Sequence, residues 1–167
     1  MTQNNFPFPS DGKRYYTWNR YLRNEFGKKV YKVALDAGFD CPNRDGTVAF
    51  GGCTFCSAAG SGDFAGNKVD PIPVQFEKIK TKMESKWKDG LTMAYFQAYT
   101  NTHAPLEVLK EKFEAALACE GVMGLSIATR PDCLPDDVVE YLAELNERTY
   151  LWVELGLQTV HEKTANL

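Results

Sequence analysis

Four short apolar runs, separated by amphipathic helical stretches, leave this chain few folds to choose from. KVYKVALD (29–36) sets lysines among Val30, Val33 and Leu35 and reads as a strand. LTMAYFQAY (91–99), VMGLSIAT (122–129) and LWVELGLQ (151–158) are more uniformly apolar, as strands covered on both faces of a parallel sheet are. Between them, 71–88 places Phe76, Ile79, Met83 and Trp87 on one helical face, and Pro71 and Pro73 stand where a helix begins. Residues 105–120 do the same with Leu106, Leu109, Phe113 and Leu117, and 135–148 with Val138, Leu142 and Leu145. The order β-α-β-α-β-α-β predicts an α/β fold with about four parallel strands. Residues from His161 onward read as the start of a further helix.

Ahead of the first strand, 14–26 (RYYTWNRYLRNEF) predicts an aromatic-rich helix stopped by Gly27. Residues 1–28 read as an extension packed on the domain formed by 29–167. Residues 13–32 hold seven basic side chains (Lys13, Arg14, Arg20, Arg23, Lys28, Lys29, Lys32) against one acid, Glu25. Tyr15, Tyr16, Trp18, Tyr21, Phe26 and Tyr31 lie among them. Cations neutralise phosphates and rings stack on exposed bases, so RNA is a candidate partner. The competing reading is an amphipathic helix whose rings pack inward, and the helical spacing favours it. A net charge of −3 does not by itself point to a polyanion. No apolar run reaches the ~20 residues of a membrane span, and residues 1–12 lack a signal-peptide core, so the chain is read as cytoplasmic.

A long glycine-rich loop, from about Ala37 to Lys68, follows the first strand and holds Cys41, Cys53 and Cys56 as C-x11-C-x2-C. Loops of this length inside a compact domain are usually functional. An odd total of five cysteines argues against a disulfide framework and for metal or catalytic roles. Three thiolates on one loop match three irons of a [4Fe–4S] cluster and leave the fourth iron open. Gly46, Gly51 and Gly52 let the loop wrap such a group and turn N–H donors toward its sulfurs. A structural zinc site remains the alternative, with Cys119, Cys133 or His103 as fourth ligand. Cys119 otherwise reads as a buried apolar residue.

GCTFCSAAGSGDFAG (52–66), FQAYTNTHAP (96–105), ATRPDCLP (128–135) and VELGLQT (153–159) fall in order at the four strand ends. With these segments the chain resembles the radical S-adenosylmethionine (SAM) superfamily, and more closely its YtqA/YhcC-like branch, relatives of the elongator catalytic-subunit family. The superfamily's usual C-x3-C-x2-C spacing is replaced by a longer first gap. The resemblance implies the first part of a (β/α)6-type partial barrel, truncated here to about four strands. It implies a [4Fe–4S] cluster on Cys41, Cys53 and Cys56, SAM on the open iron, and reductive cleavage to a 5′-deoxyadenosyl radical. It assigns Phe55 to the adenine and Gln97 or Thr100 to the SAM amino group, in place of a Gly-Gly-Glu-like segment. Arg130, followed by Asp132, is assigned to the SAM carboxylate, and Gln158 to the ribose. Ser126 and Thr129 are expected to face the barrel interior. Glu154, Gly156 and Gln158 are expected to share one strand face, with Glu154 pointing inward to a polar partner or substrate. The implied partners are a tRNA, modified at its wobble uridine, and a reducing donor such as flavodoxin or ferredoxin. The alternative is a metal-stapled RNA-binding module without radical chemistry. The sequence does not bear on oligomeric state.

Overall fold

The computed structural model describes residues 13–165. The first part of the N-terminal extension, 1–12, therefore lies outside the described residues. The elements run α1 Trp18–Phe26, β1 Val30–Leu35, α2 Ile72–Glu84, β2 Leu91–Phe96, α3 Leu106–Leu117 and β3 Val122–Thr129. A short 3-10 turn at Pro131–Cys133, α4 Asp136–Arg148, β4 Tyr150–Leu155 and α5 Glu162–Ala165 complete the order. The four strands form one parallel sheet in the order β1-β2-β3-β4, as the alternation predicts.

Residue parity divides the sheet. Tyr31, Val33 and Leu35 of β1, Ala94 and Phe96 of β2, and Leu125 and Ile127 of β3 face α2, α3 and α4 in the main core. That core holds Phe76, Ile79, Met83 and Trp87, then Leu106, Leu109, Phe113 and Leu117, then Val138, Leu142 and Leu145. These are the faces read from the sequence, except that α2 ends at Glu84 and Trp87 packs on the core from the segment after it. Phe76, Phe96 and Phe113 are fully buried, and each contributes about 2–3 kcal/mol of transfer free energy. All three helices are entered through a proline (Pro71, Pro105, Pro135) whose side chain caps nothing; its fixed φ sets the turn into the helix.

The opposite sheet face is covered at its lower end by α1. Leu22 packs on Val30 and Met93, with Trp18, Tyr21, Phe26, Met123 and Tyr150 around them. Trp18 meets Trp152 edge-on at 4.0 Å, and Phe26 meets Tyr150 at 4.9 Å. Most of the rings of the N-terminal stretch are thus packing residues. Helix α1 starts later than expected because Thr17 Oγ accepts the Arg20 N–H at 3.1 Å, which leaves 14–16 ahead of the cap. A bulge in β3 keeps both faces in register: Val122 pairs with Thr92 and Leu125 with Ala94, so β3 carries one extra residue there. Gly124 sits in it, where a Cβ would lie 2.1 Å from the Tyr150 carbonyl oxygen.

Two strands end earlier than the apolar runs suggest. β2 stops at Phe96 and β4 at Leu155, each opposite the last paired residue of its neighbour. The long loop after β1 is tied back by Gln75, which is 1% exposed. Its amide accepts the Asp36 N–H at 2.9 Å and donates to the Asp36 and Asp70 carbonyls at 2.8 and 2.9 Å. Replacing Gln75 with leucine leaves three backbone groups unpaired, and the expected loss is about 3 kcal/mol. The urea unfolding midpoint measures it.

Candidate functional site

The strands are parallel, so all four C-terminal ends lie at one edge, and the cysteine loop lies there with them. The eleven residues between Cys41 and Cys53 fold into a hairpin. Arg44 and Asp45 N–H groups donate to the Cys41 carbonyl at 2.7 and 3.1 Å, and Val48 and Ala49 donate to Pro42 at 2.8 and 3.1 Å. Asp45 and Phe50 form a β-bridge, and the Gly52 N–H closes the neck on the Asn43 carbonyl at 2.8 Å. Cys41 lies two residues outside one side of that neck and Cys53 one residue outside the other. The long gap in sequence is therefore a short step in space.

Gly51 and Gly52 make this closure possible with φ of 84° and 83°, a region that costs an L-residue about 1–2 kcal/mol. A Cβ on Gly52 would also lie 2.8 Å from Arg44 Nε. The Arg44 guanidinium ties the hairpin to the next turn of the loop. It donates to the Ser57 and Ala58 carbonyls at 2.5 and 3.4 Å and lies 5.3 Å from the Tyr99 ring. Tyr99 donates to the Ala58 carbonyl at 2.9 Å. On the other flank, His103 Nε2 and Asp45 Oδ2 are 2.6 Å apart. Hydrogen bonds from Thr47, followed by the one from His103, bring the Asp45 carboxyl down to about 2.

Cys41, Cys53 and Cys56 are all free thiols and half-buried. The Cys56 N–H turns back on the Cys53 carbonyl at 3.0 Å. Each sulfur has a polar neighbour. Asn43 Nδ2 donates to Cys53 Sγ at 3.0 Å, Ser61 Oγ stands 3.5 Å from Cys56 Sγ, and the Arg130 guanidinium lies beside the Cys41 thiol. In its chemistry, three thiols each with a polar neighbour, this donor set is of the kind a cluster takes, since cluster thiolates gain from hydrogen bonds to sulfur. Among the described residues no three His, Cys, Asp or Glu side chains are grouped to hold a metal ion. Of the zinc alternative's fourth ligands, His103 and Cys119 have partners of their own, whereas Cys133 lies near Cys41. His103 pairs with Asp45, Cys119 donates to the Ala115 carbonyl at 3.3 Å, and Cys133 is buried with its thiol toward Asp132. Burial, and for Cys133 the neighbouring Asp132, pushes both thiols up. Cys133 also lines a cleft of about 740 Å³ beside the hairpin, with Pro42, Asp45, His103, Asp132 and Pro135.

The other expected contacts are distributed unevenly around this edge. Phe55 is 66% exposed, so its ring is presented rather than packed. Gln97 follows β2 and is half-buried, whereas Thr100 is 2% exposed and its N–H holds the Asp40 carbonyl at 3.2 Å. Arg130 grips Asp132 through two bonds of 2.9 and 2.6 Å; that pair holds the guanidinium well above its usual range and the carboxyl below it. Ser126 lies on the sheet face that carries Glu154. Thr129, an odd number of residues away, lies on the other face and bonds Thr102 at 2.5 Å. Gln158 does not share a strand face with Glu154, because β4 has ended; it sits in a loop at φ 65°. Ser61, Tyr99 and Gln158 are the non-glycine residues at positive φ among those described, and all three stand at this edge. Such strain gathers at functional sites.

One layer below, Glu154 occupies the concave face with a partner from every other strand. Lys32 of β1 pairs with it, Tyr95 OH of β2 donates at 3.1 Å, and Ser126 Oγ of β3 donates at 2.8 Å. Lys32 also lies 4.0 Å from the Tyr95 ring centroid. β1 and β4 are three strand spacings apart, about 14 Å in a flat sheet, so this pairing requires the sheet to curl toward the face α1 covers. Burial raises the Glu154 carboxyl, but Lys32, Ser126 and Tyr95 together outweigh it and hold the group below its usual value. The Tyr95 hydroxyl goes up, through burial and then the Glu154 charge. The sequence signals for this layer are Lys32 within a strand and Glu154 in an apolar run; only the second stands out as a site residue.

Two outcomes test this geometry. Gly52→Ala is expected to cost about 1–2 kcal/mol and to loosen the neck, read as faster alkylation of Cys53 than of Cys119 in the variant. Glu154 has a depressed folded pKa. Its contribution to stability is complete above the unfolded value of about 4.3 and is lost as pH falls through the lower folded value. Glu154→Gln should therefore unfold more easily at neutral pH and show a shallower loss of stability below about pH 4 than the parent, by chemical denaturation at stepped pH.

The chain is similar to the uncharacterized protein YtqA of Bacillus subtilis (strain 168), 73% identical over 168 residues, which takes in 100% of this chain and 52% of the relative. It is 42% identical over 144 residues to protein YhcC of Escherichia coli (strain K12), covering 86% of this chain and 45% of that one. The uncharacterized protein MJ0486 of Methanocaldococcus jannaschii is 37% identical over 161 residues, covering 95% and 48%. No family model matches, and no solved structure matches. No helix among the described residues is long and apolar enough to cross a membrane. The chain spans about half the length of the curated relatives it matches.

Proposed function

We propose that the protein is a radical SAM enzyme in which Cys41, Cys53 and Cys56 hold a [4Fe–4S] cluster with one iron left for SAM. The observation that supports the reading is the hairpin neck, which folds the eleven-residue gap back on itself, with a polar neighbour at each of the three thiols. When bound, such a cluster supplies the electron that cleaves SAM to methionine and a 5′-deoxyadenosyl radical.

In this reading the chain's own residues bind and orient. Phe55 offers an exposed ring to the adenine. Arg130 uses the guanidinium donors that Asp132 leaves free to hold the SAM carboxylate. Gln97 supplies an acceptor at the end of β2 for the amino group, a role to which buried Thr100 is less suited. Gln158 reaches the ribose from a loop. Glu154 is held by three donors, two on Oε1 and one on Oε2, so it forms a floor beneath the site. Closure of a barrel around this floor belongs to the same proposal, supported by the inward curl of the sheet.

tRNA is the substrate class the resemblance favours, with a flavodoxin or ferredoxin as reductant. Support from the N-terminal stretch is reduced, because Lys32 is tied to Glu154 and Trp18, Tyr21 and Phe26 pack on the sheet. Tyr15 and Tyr16 stay exposed there, with Arg23 and Lys28.

The test is anaerobic reconstitution of the natural protein with iron and sulfide, then dithionite and SAM. 5′-Deoxyadenosine is expected, is absent with Cys53→Ala, and increases when unmodified tRNA is added. A colourless zinc protein that binds tRNA and leaves SAM intact would establish the metal-stapled module instead.

A further inference from the structure

We infer that Asn43 is a positioning residue that sets the reduction potential of the metal centre through its hydrogen bond to Cys53; this rests on the cluster reading above. The amide Nδ2 stands 3.0 Å from Cys53 Sγ, and among the described residues the side chain makes no other hydrogen bond. Its backbone is fixed, since the Asn43 carbonyl takes the Gly52 N–H at 2.8 Å and buried Pro42 precedes it. A turned amide would set its oxygen against a thiolate, two acceptors facing each other, so the bond also fixes which amide atom points inward.

The other two sulfurs have neighbours of a different kind. Ser61 Oγ is 3.5 Å from Cys56 Sγ, a contact in which either atom can donate, and the Arg130 guanidinium beside Cys41 is also bound at two points by Asp132. Asn43 is the neutral donor whose geometry the neck dictates. Reduction adds one electron to the cluster; no bond breaks and no proton has to move. The added negative charge spreads onto the thiolates, so a donor at sulfur stabilises the reduced form more than the oxidised one and raises the potential.

Asn43→Leu keeps the volume and removes the donor. Asn43→Asp keeps the shape and replaces the donor with a negative acceptor. Asn43→Ser keeps a shorter donor as the rescue. Each is reconstituted anaerobically beside the parent, its iron and sulfide are counted, and its midpoint is read by a redox titration followed by electron paramagnetic resonance. The midpoint is expected to move negative with leucine, further with aspartate, and to recover in part with serine. The reduction equilibrium is expected to fall on the order of threefold to tenfold for leucine, the size of one hydrogen bond. Equal midpoints at equal iron content overturn the inference and leave the cluster reading standing. Variants that keep the parent's unfolding midpoint yet lose the cluster also overturn it, since Asn43 would then serve assembly. If leucine and aspartate do not fold, serine against the parent decides by the same criterion. A parent that assembles no iron–sulfur cluster fails the earlier reading, and this one with it.

Discussion

Parallel pairing is the constraint from which the candidate site follows. Because β1 to β4 run the same way, every strand delivers its C-terminal end, and the loop after it, to one edge. The cysteine loop, Gln97, Tyr99, Arg130 and Gln158 arrive there from four separate stretches of chain. An antiparallel sheet of the same strands would send half of them to the far edge. The helices that make the crossovers also explain why one sheet face is dry. Tyr31, Val33, Leu35, Phe96 and Ile127 are consumed by α2, α3 and α4, which leaves the opposite face for α1 and for polar groups.

On that opposite face, apolar and ionic packing are stacked rather than mixed. The rings of α1, with Tyr150 and Trp152, fill the lower end. Lys32, Tyr95, Ser126 and Glu154 form the next level up. A carboxylate half removed from water is costly alone, and three donors from three strands offset that cost here. The arrangement has a structural consequence, since Glu154 bonds to every other strand and so favours a curled sheet over a flat one. An apolar quartet of the same volume would pack without fixing that curvature so specifically.

Strand and helix content is legible because it is local. Helix faces at Phe76–Ile79–Met83, at Leu106–Leu109–Phe113 and at Val138–Leu142–Leu145 repeat every three to four residues, and the structure buries them. Strand ends are not legible, because they depend on partners. Residues 97–99 and 156–158 read as strand, yet β2 ends at Phe96 and β4 at Leu155, and Tyr99 and Gln158 turn to positive φ. The same limit separates Glu154, whose lone charge in an apolar run is conspicuous, from Lys32. Lys32 falls in with the basic stretch because nothing local distinguishes a lysine facing a carboxylate 122 residues away from one facing solvent.

The cysteine spacing shows how sequence distance and spatial distance part company. An eleven-residue gap would be a long tether if it were extended, and a flexible loop of that length would hold Cys41 only loosely against Cys53. Here the intervening residues spend their hydrogen bonds on one another and on Pro42, and two consecutive left-handed glycines return the chain to its starting point. Arg44 and the Asp45–His103 pair then fasten the hairpin to the rest of the edge from both sides. A motif defined by residue counts would class this spacing as divergent. Defined by the hydrogen-bonded neck, it is compact, and the extra residues form an appendage that shapes the cleft beside Cys133.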